Sequence, residues 1–471
     1  MGDVMLKTPS EIWKFGQPVK QGEVVDYLNK MGVPFANEQE LLATAVDPNV
    51  DFITLHSIQG VGGSYKFKRS LNAVIGTLED KTGAHFSPTG VRDAQTHLGK
   101  EIFRVPADFS TLNEALAYLG PRSFNNVEII LEDGFEFTET VSLSYVDFSH
   151  LTISSEAEEV LVASSMKEGD RLFYVLGAAM PRLNTLINAN GRISGGVNLR
   201  HGSTAFIYPG KGVKNCYGNG LLALGSTAYA QGAIFTGCAQ VNTTGAGITS
   251  WGGAVFAEGA DVSGSMYYGA QGAHGGYLSF KDGKANDCYR HAIRASDAGI
   301  VDADGAEAQN AGYCGFRSYE ASILSAVGGN ASGSLNGFMA YHGSTLNARQ
   351  GIAENCGDSC IFAEGTSRVE APNFNGSGAK IGLFASQASS INANEATITG
   401  CSEWGAGAER LSTINLAEAW MRQGQDDAPT DAAINSGSTM YVTSMTGGVG
   451  NYGTGNALAT NTLSVRGVIY K

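Results

Sequence analysis

Aromatic rings and hydrogen-bonding side chains recur at a steady interval through the middle of this chain. They are Met266-Tyr267, Arg290-His291, Tyr313, Asp358, Lys380 and Glu403-Trp404, with Tyr217, Tyr268 and Tyr289 one position away and Trp251 in a longer early segment. Sugar rings stack on flat aromatic faces and take hydrogen bonds from Arg, His and carboxylates. Trp251, Tyr267, Tyr268, Tyr289, Arg290, His291, Tyr313 and Trp404 are therefore candidate carbohydrate-binding residues. The same rings would suit packing between protomers equally well, and residue type alone does not choose.

Cleavage of a glycan asks for two carboxyl groups about 5 to 9.5 Å apart. Asp302, Asp304, Asp358 and Glu403 are candidates, in the pairs Asp282 with Asp304, Asp302 with Asp304, Glu354 with Asp358, and Glu403 with Asp358. Acids at bends are ordinarily just solvated, so no catalytic role is assigned to them. Asp302-Ala303-Asp304-Gly305 with Glu307 has the look of a cation loop but lacks the rest of an EF-hand. Gly357-Asp358-Ser359-Cys360 has a protease-like look but falls inside a repeat. Gly-x-Ser-x-Gly, P-loop, His-Glu-x-x-His and dinucleotide motifs are absent. No metal or cofactor is expected, and the missing catalytic set favours binding over cleavage.

These residues are spaced by a repeat. A small residue or Cys recurs at 288, 311, 333, 356, 378 and 401, in steps of 23, 22, 23, 22 and 23. Ser322, Ser344, Ser367, Ser390 and Ser412 hold a second register with steps of 22, 23, 23 and 22. Earlier, Cys216 and Cys288 lie 72 residues apart, three turns of 24, with Cys238 and Gly264 as intermediates. Leucine-rich repeats need more leucine than this, and helical repeats are longer and poorer in glycine. Short strands of three to five residues joined by Gly, Asn and Ser bends predict a parallel β-helix over residues 201–425.

The cysteines then fall into place. Cys216, Cys288, Cys356 and Cys401 share one small-residue position, and Cys238 joins them. Such a position points into a narrow core, where a free thiol behaves as a small hydrophobe. Just before it stand Asn215, Asp287, Asn310, Ser332, Asn355 and Ser377, read as a structural row stacked at a bend.

Composition agrees. Of 471 residues 63 are Gly, only 11 are Pro and 43% are hydrophobic, a mix too apolar for a disordered chain and too proline-poor for collagen. The net charge of −14 falls almost wholly beyond residue 100, so nucleic acid is an unsuitable partner. Seven cysteines without a secretory leader argue against a disulfide framework. The start Met1-Gly2-Asp3-Val4-Met5 lacks a signal-peptide pattern, and no 18-residue apolar run would cross a bilayer, so synthesis in a cytoplasm is expected.

Residues 109–121 predict a short helix that covers the open end of the β-helix. Ser110 is placed to cap it, Leu112, Ala115, Leu116 and Leu119 form one face, and Gly120-Pro121 stops it. The run Phe109-Ser110-Thr111-Leu112-Asn113-Glu114-Ala115-Leu116-Ala117-Tyr118-Leu119, followed by Val127-Glu128-Ile129-Ile130-Leu131-Glu132-Asp133-Gly134, resembles the opening of pectin-lyase-like β-helices. It is most like the version in phage tailspikes and tail fibres; gene-transfer-agent spikes are of the same class. Asn461-Thr462-Leu463-Ser464-Val465-Arg466-Gly467-Val468-Ile469-Tyr470 resembles the close of such fibres. The likeness covers about residues 101–471. It departs from the polygalacturonases of this fold, since His201-Gly202 and His342-Gly343 occur without Asn-Thr-Asp or Arg-Ile-Lys.

The resemblance implies a mainly β protein with a right-handed single-stranded parallel β-helix. It implies an anchoring domain at 1–100, a capping helix and first turns at 101–200, turns of 22–24 residues at 201–425, and a C-terminal β cap at 426–471. It further implies a homotrimeric receptor-binding spike on a virion or phage-like particle, made in the bacterial host and docked to a capsular polysaccharide. A depolymerase on the same fold and a structural spacer are the alternatives.

Overall fold

The computed structural model describes residues 102–119, 127–240, 245–421 and 437–441 with their side chains. It also describes the backbone of strands Val33–Phe35, Phe52–Ile58, Val61–Ser70, Leu78–Glu79, His85–Pro88, Ala432–Ile434, Leu463–Ser464 and Gly467–Tyr470. Two compact units are present, Met1–Phe103 with Thr111–Val127, and Arg104–Ser110 with Glu128–Lys471. In the first, five strands form one sheet, mostly antiparallel. The helical stretches expected near 21–31 and 37–46 lie outside the described residues. The expected short helix is Leu112–Leu119, with Leu112, Ala115, Leu116 and Leu119 buried. Its N-cap contact comes from Thr111, whose Oγ1 accepts the Glu114 N–H at 3.2 Å, one residue beyond the expected Ser110.

The second unit is a right-handed parallel β-helix. Its broad face is a sheet of 13 strands that runs from Val141–Ser144 to Ala432–Ile434, every pair parallel. A second face stacks three-residue strands from Thr204–Phe206 through Ser438–Tyr441. A third is carried through the middle turns by single bridges from Gly212 to Ile352, then by Ile352–Glu354, Asn375–Ser377, Thr397–Thr399 and Trp420–Arg422. Broad-face strands are mostly six residues long, not three to five. Their first, fourth and sixth side chains stand on the outer surface, as the exposure of Asn219–Leu224 shows. The interior is packed with apolar rings: Phe316 stacks on Phe338 at 4.8 Å, Phe374 follows edge-on, and both Phe316 and Phe338 are fully buried. All seven cysteines are free and buried.

The repeat register shifts by one at several turns. The inward small residues are Cys216, Cys238, Ser265, Cys288, Ala311, Ser334, Cys356, Ala379 and Cys401, none more than 2% exposed. Gly264, Gly333 and Gly378, expected at that position, are instead the corner residue before it, with φ of 71°, 73° and 68°. Ser332 and Ser377 stand one place earlier still. The corner row is Asn215, Gly237, Gly264, Asp287, Asn310, Gly333, Asn355, Gly378 and Gly400, all left-handed. Only Gly, Asn and Asp enter that conformation readily. A Cβ on Gly333 would lie 2.3 Å from Asn310 Oδ1, because the Asn side chain reaches over the next turn. Gly and Ser are alike in size, and only the handedness of the corner tells them apart. The second register slips likewise. Its buried hydroxyl row passes from Ser367 through Ser389 to Ser412 and Ser438, each N–H donating to the next Oγ at 3.1–3.2 Å, so Ser390 is not a member.

Candidate carbohydrate-binding site

Turn by turn, the corner after the small residue presents side chains at the edge of the broad face. Tyr289 and Tyr313 are exposed there, 56% and 38%. Gly312 lies between them, and a Cβ on it would meet the Tyr289 carbonyl oxygen at 2.1 Å, so the floor carries no side chain. Tyr289, Arg290, Gly312 and Tyr313 line an open cleft of about 450 Å³, within the range of small-ligand sites.

Behind the cleft the broad face carries a cluster the sequence did not single out. Arg294 and Arg317 occupy the fourth place of successive strands, and Tyr319 and Tyr341 the sixth. Arg290 hydrogen-bonds Tyr267 Oη and lies 4.8 Å from its ring centre. Arg294 donates to Tyr268 Oη at 2.5 Å, and Arg317 lies over Tyr319 at 4.8 Å and Tyr341 at 5.4 Å. Guanidinium planes over aromatic rings hold their charge at low entropic cost. His291 and Tyr268, expected on an exposed ridge, are 0% and 7% exposed and form the base of the cluster. Burial, then Arg317, Arg294 and Arg290, holds the imidazole neutral, far below its usual range. Burial and the Tyr267 hydroxyl push Tyr268 up to about 12.

The other expected residues are spread out. Trp251 ends the strand Ala246–Trp251, 42% exposed, and stacks on His274 at 4.0 Å. Trp404 closes a ring ladder from Tyr341 through Phe362 and Phe384, spaced 5.3, 5.3 and 6.0 Å. It lies five turns from Tyr289, about 24 Å at the β-strand spacing.

Two of the acids expected to pair already have partners. Asp302 pairs with Lys281 at 3.0 Å. Asp304 accepts from Ser325 Oγ at 2.6 Å and the Val327 N–H at 2.9 Å. Asp358 and Glu403 precede broad-face strands two turns apart, with Lys380 on the turn between them, its carbonyl accepting from the Glu403 N–H at 2.8 Å. Among the described residues no group of three or more His, Cys, Asp or Glu is placed to hold a metal ion. A carboxyl pair missed in the sequence stands at the bend after the broad strands. Asp297 and Glu320 follow matched strand positions on adjacent turns, and Asp297 is 3.8 Å from His274. Burial pushes the Asp297 carboxyl up, but hydrogen bonds from Glu320 and Ser296 and the charge of His274 leave it below the ordinary range.

No family model and no curated protein matches the chain. It is similar to the catalytic unit of a GH87 α-1,3-glucanase from Streptomyces thermodiastaticus, at TM-score 0.37 and 10% identity, covering 70% of this chain and 64% of that one. This chain thus spans less than two thirds of the glucanase unit. The periplasmic alginate epimerase AlgG matches at TM-score 0.34 and 12% identity, over 73% and 83% of the two chains. The tailspike of Acinetobacter phage vb_AbaP_AS12 matches at 0.34 and 12%, over 93% of this chain and 73% of that one.

Proposed function

We propose that this protein is a receptor-binding spike of a phage or phage-like particle that docks a bacterial surface polysaccharide on its broad face. The carrying observation is the cleft between Tyr289 and Tyr313, with Arg290 beside a floor of Gly312. Two exposed rings flanking a cationic hydrogen-bond donor suit a sugar, whose apolar face stacks while its hydroxyls accept. In this reading three copies assemble, residues 1–100 anchor the spike, and residues 426–471 close the β-helix. The test is to incubate the protein with purified capsular polysaccharides and follow both retention and chain length. Retention at unchanged length is expected, with Tyr289→Ala lowering it at least tenfold. Absence of retention by every polymer would overturn the proposal.

A depolymerase is the second reading, favoured by Asp297 and Glu320, which follow matched positions of adjacent strands at the edge of the same face, about 4.8 Å apart at the strand spacing. Shortened chains, with cleavage lost in Asp297→Asn and Glu320→Gln, would establish it and assign those two carboxyls.

A further inference from the structure

We infer that the polysaccharide is acidic, bearing carboxylate or phosphate groups that seat against Arg290, Arg294 and Arg317. This rests on the glycan reading above and narrows it. The chain carries a net charge of −14, yet three guanidinium groups gather on two neighbouring turns, Arg290 and Arg294 on one and Arg317 on the next. Among the described residues none of the three is within ion-pair distance of a carboxylate. Asp297, at the end of the Arg294 strand, is 3.8 Å from His274 and not within ion-pair distance of an arginine.

The cluster also has donors to spare. Arg317 Nη1 donates to His291 Nε2 at 2.8 Å, which leaves the proton of the neutral ring on Nδ1. That buried Nδ1 has no partner, and neither has the buried Nε of Arg294 or of Arg317. Every orphan in the cluster is a donor, and its tyrosine hydroxyls already accept from Arg290 and Arg294. A neutral sugar can accept from such donors through its hydroxyls but brings no counter-charge for the guanidinium groups. An anion brings acceptors only, together with the charge that the three arginines lack, and charge-assisted bonds to guanidinium are the stronger kind. The exposed Arg290 beside the cleft gives such a ligand its entry.

The experiment uses the full chain and a panel of bacterial polysaccharides: neutral, uronic-acid-bearing and phosphodiester-linked polymers. Each uronic acid polymer is paired with its carbodiimide-and-borohydride carboxyl-reduced form. Retention of an acidic polymer is expected, with carboxyl reduction, or enzymatic removal of the phosphate, weakening it at least tenfold. The arm that weakens identifies the anion. Arg290→Gln should weaken binding comparably and Arg290→Lys less, while Arg182→Gln, outside the cluster, leaves it unchanged. Circular dichroism confirms that the Arg317→Gln protein is folded before its loss of binding is read. Equal retention of native and reduced polymers, or retention of neutral polymers alone, overturns the acidic assignment and leaves the glycan reading standing. Failure to retain any polymer overturns both.

Discussion

Tyr289 and Tyr313 contribute little to the core, so removing either ring should alter binding and leave folding alone. Tyr289→Ala is expected to keep its melting temperature within about 2 °C, since substitutions at exposed sites stay near ±0.5 kcal/mol. His291 behaves in the opposite way. Its folded pKa lies below its unfolded value, so at pH above about 6.5 the ring is neutral in both states and contributes no pH dependence. Below that pH the unfolded chain takes up a proton that the native site refuses. Stability then falls by about 1.4 kcal/mol per pH unit from this group alone. Melting curves from pH 7.5 to 5 should show a shallower fall for His291→Gln than for the parent; parallel curves would mean the ring titrates in the folded protein. The thiols give a simpler check. Burial pushes Cys288 up to about 12 and drives Cys314 upward as well, so Ellman's reagent should find none of the seven before denaturation and all of them after. Tyr289, Arg290 and Tyr313 were legible as a site because they fall beside the repeat marker. Arg294, Arg317, Tyr319 and Tyr341 were not, since they lie within strands whose outward columns emerge only when the register of the sheet is known.

At the scale of the turn, the period was readable because each circuit repeats one steric problem: a left-handed corner followed by an inward small residue. What sequence could not separate was the corner from its neighbour wherever Gly and Ser stood together, as at Gly333-Ser334. The structure separates them through Asn310, whose Oδ1 occupies the space above Gly333. Gly333→Ala therefore meets two obstacles, a φ of 73° and a contact at 2.3 Å. The conformational penalty is about 1–2 kcal/mol, and the clash adds to it. In an Asn310→Gly background only the first obstacle remains. Urea midpoints should accordingly show Gly333→Ala to be more damaging in the parent than in the Asn310→Gly protein. Equal losses would mean that the Asn side chain swings clear and the corner row is not coupled from turn to turn.

For the whole molecule, the proposed trimer needs a contact surface that leaves the broad face open, and the second face offers one. Its strands align Phe206, Tyr229 and Phe256 in one column, and Tyr277, Ile300 and Ile323 in the next. Tyr229 stacks on Phe256 at 5.3 Å, and Phe206, Tyr229, Ile300 and Ile323 are 39–51% exposed. Single exposed apolar residues are ordinary, but a continuous stripe is a surface that other protein covers. The occupant proposed is a second and a third copy of this chain, joined side by side along the stripe. A further observation fits this placement: the arginine cluster lies on a different face, so assembly and ligand do not compete. Light scattering on the eluting peak should report three chains for the parent and a smaller species for the double variant Ile300→Asp with Ile323→Asp. Both side chains are exposed, so the single chain should still fold and retain its polysaccharide with reduced avidity. A parent protein that elutes as one chain would remove the trimer from the proposed function, and a double variant that remains three chains would move the contact away from this face.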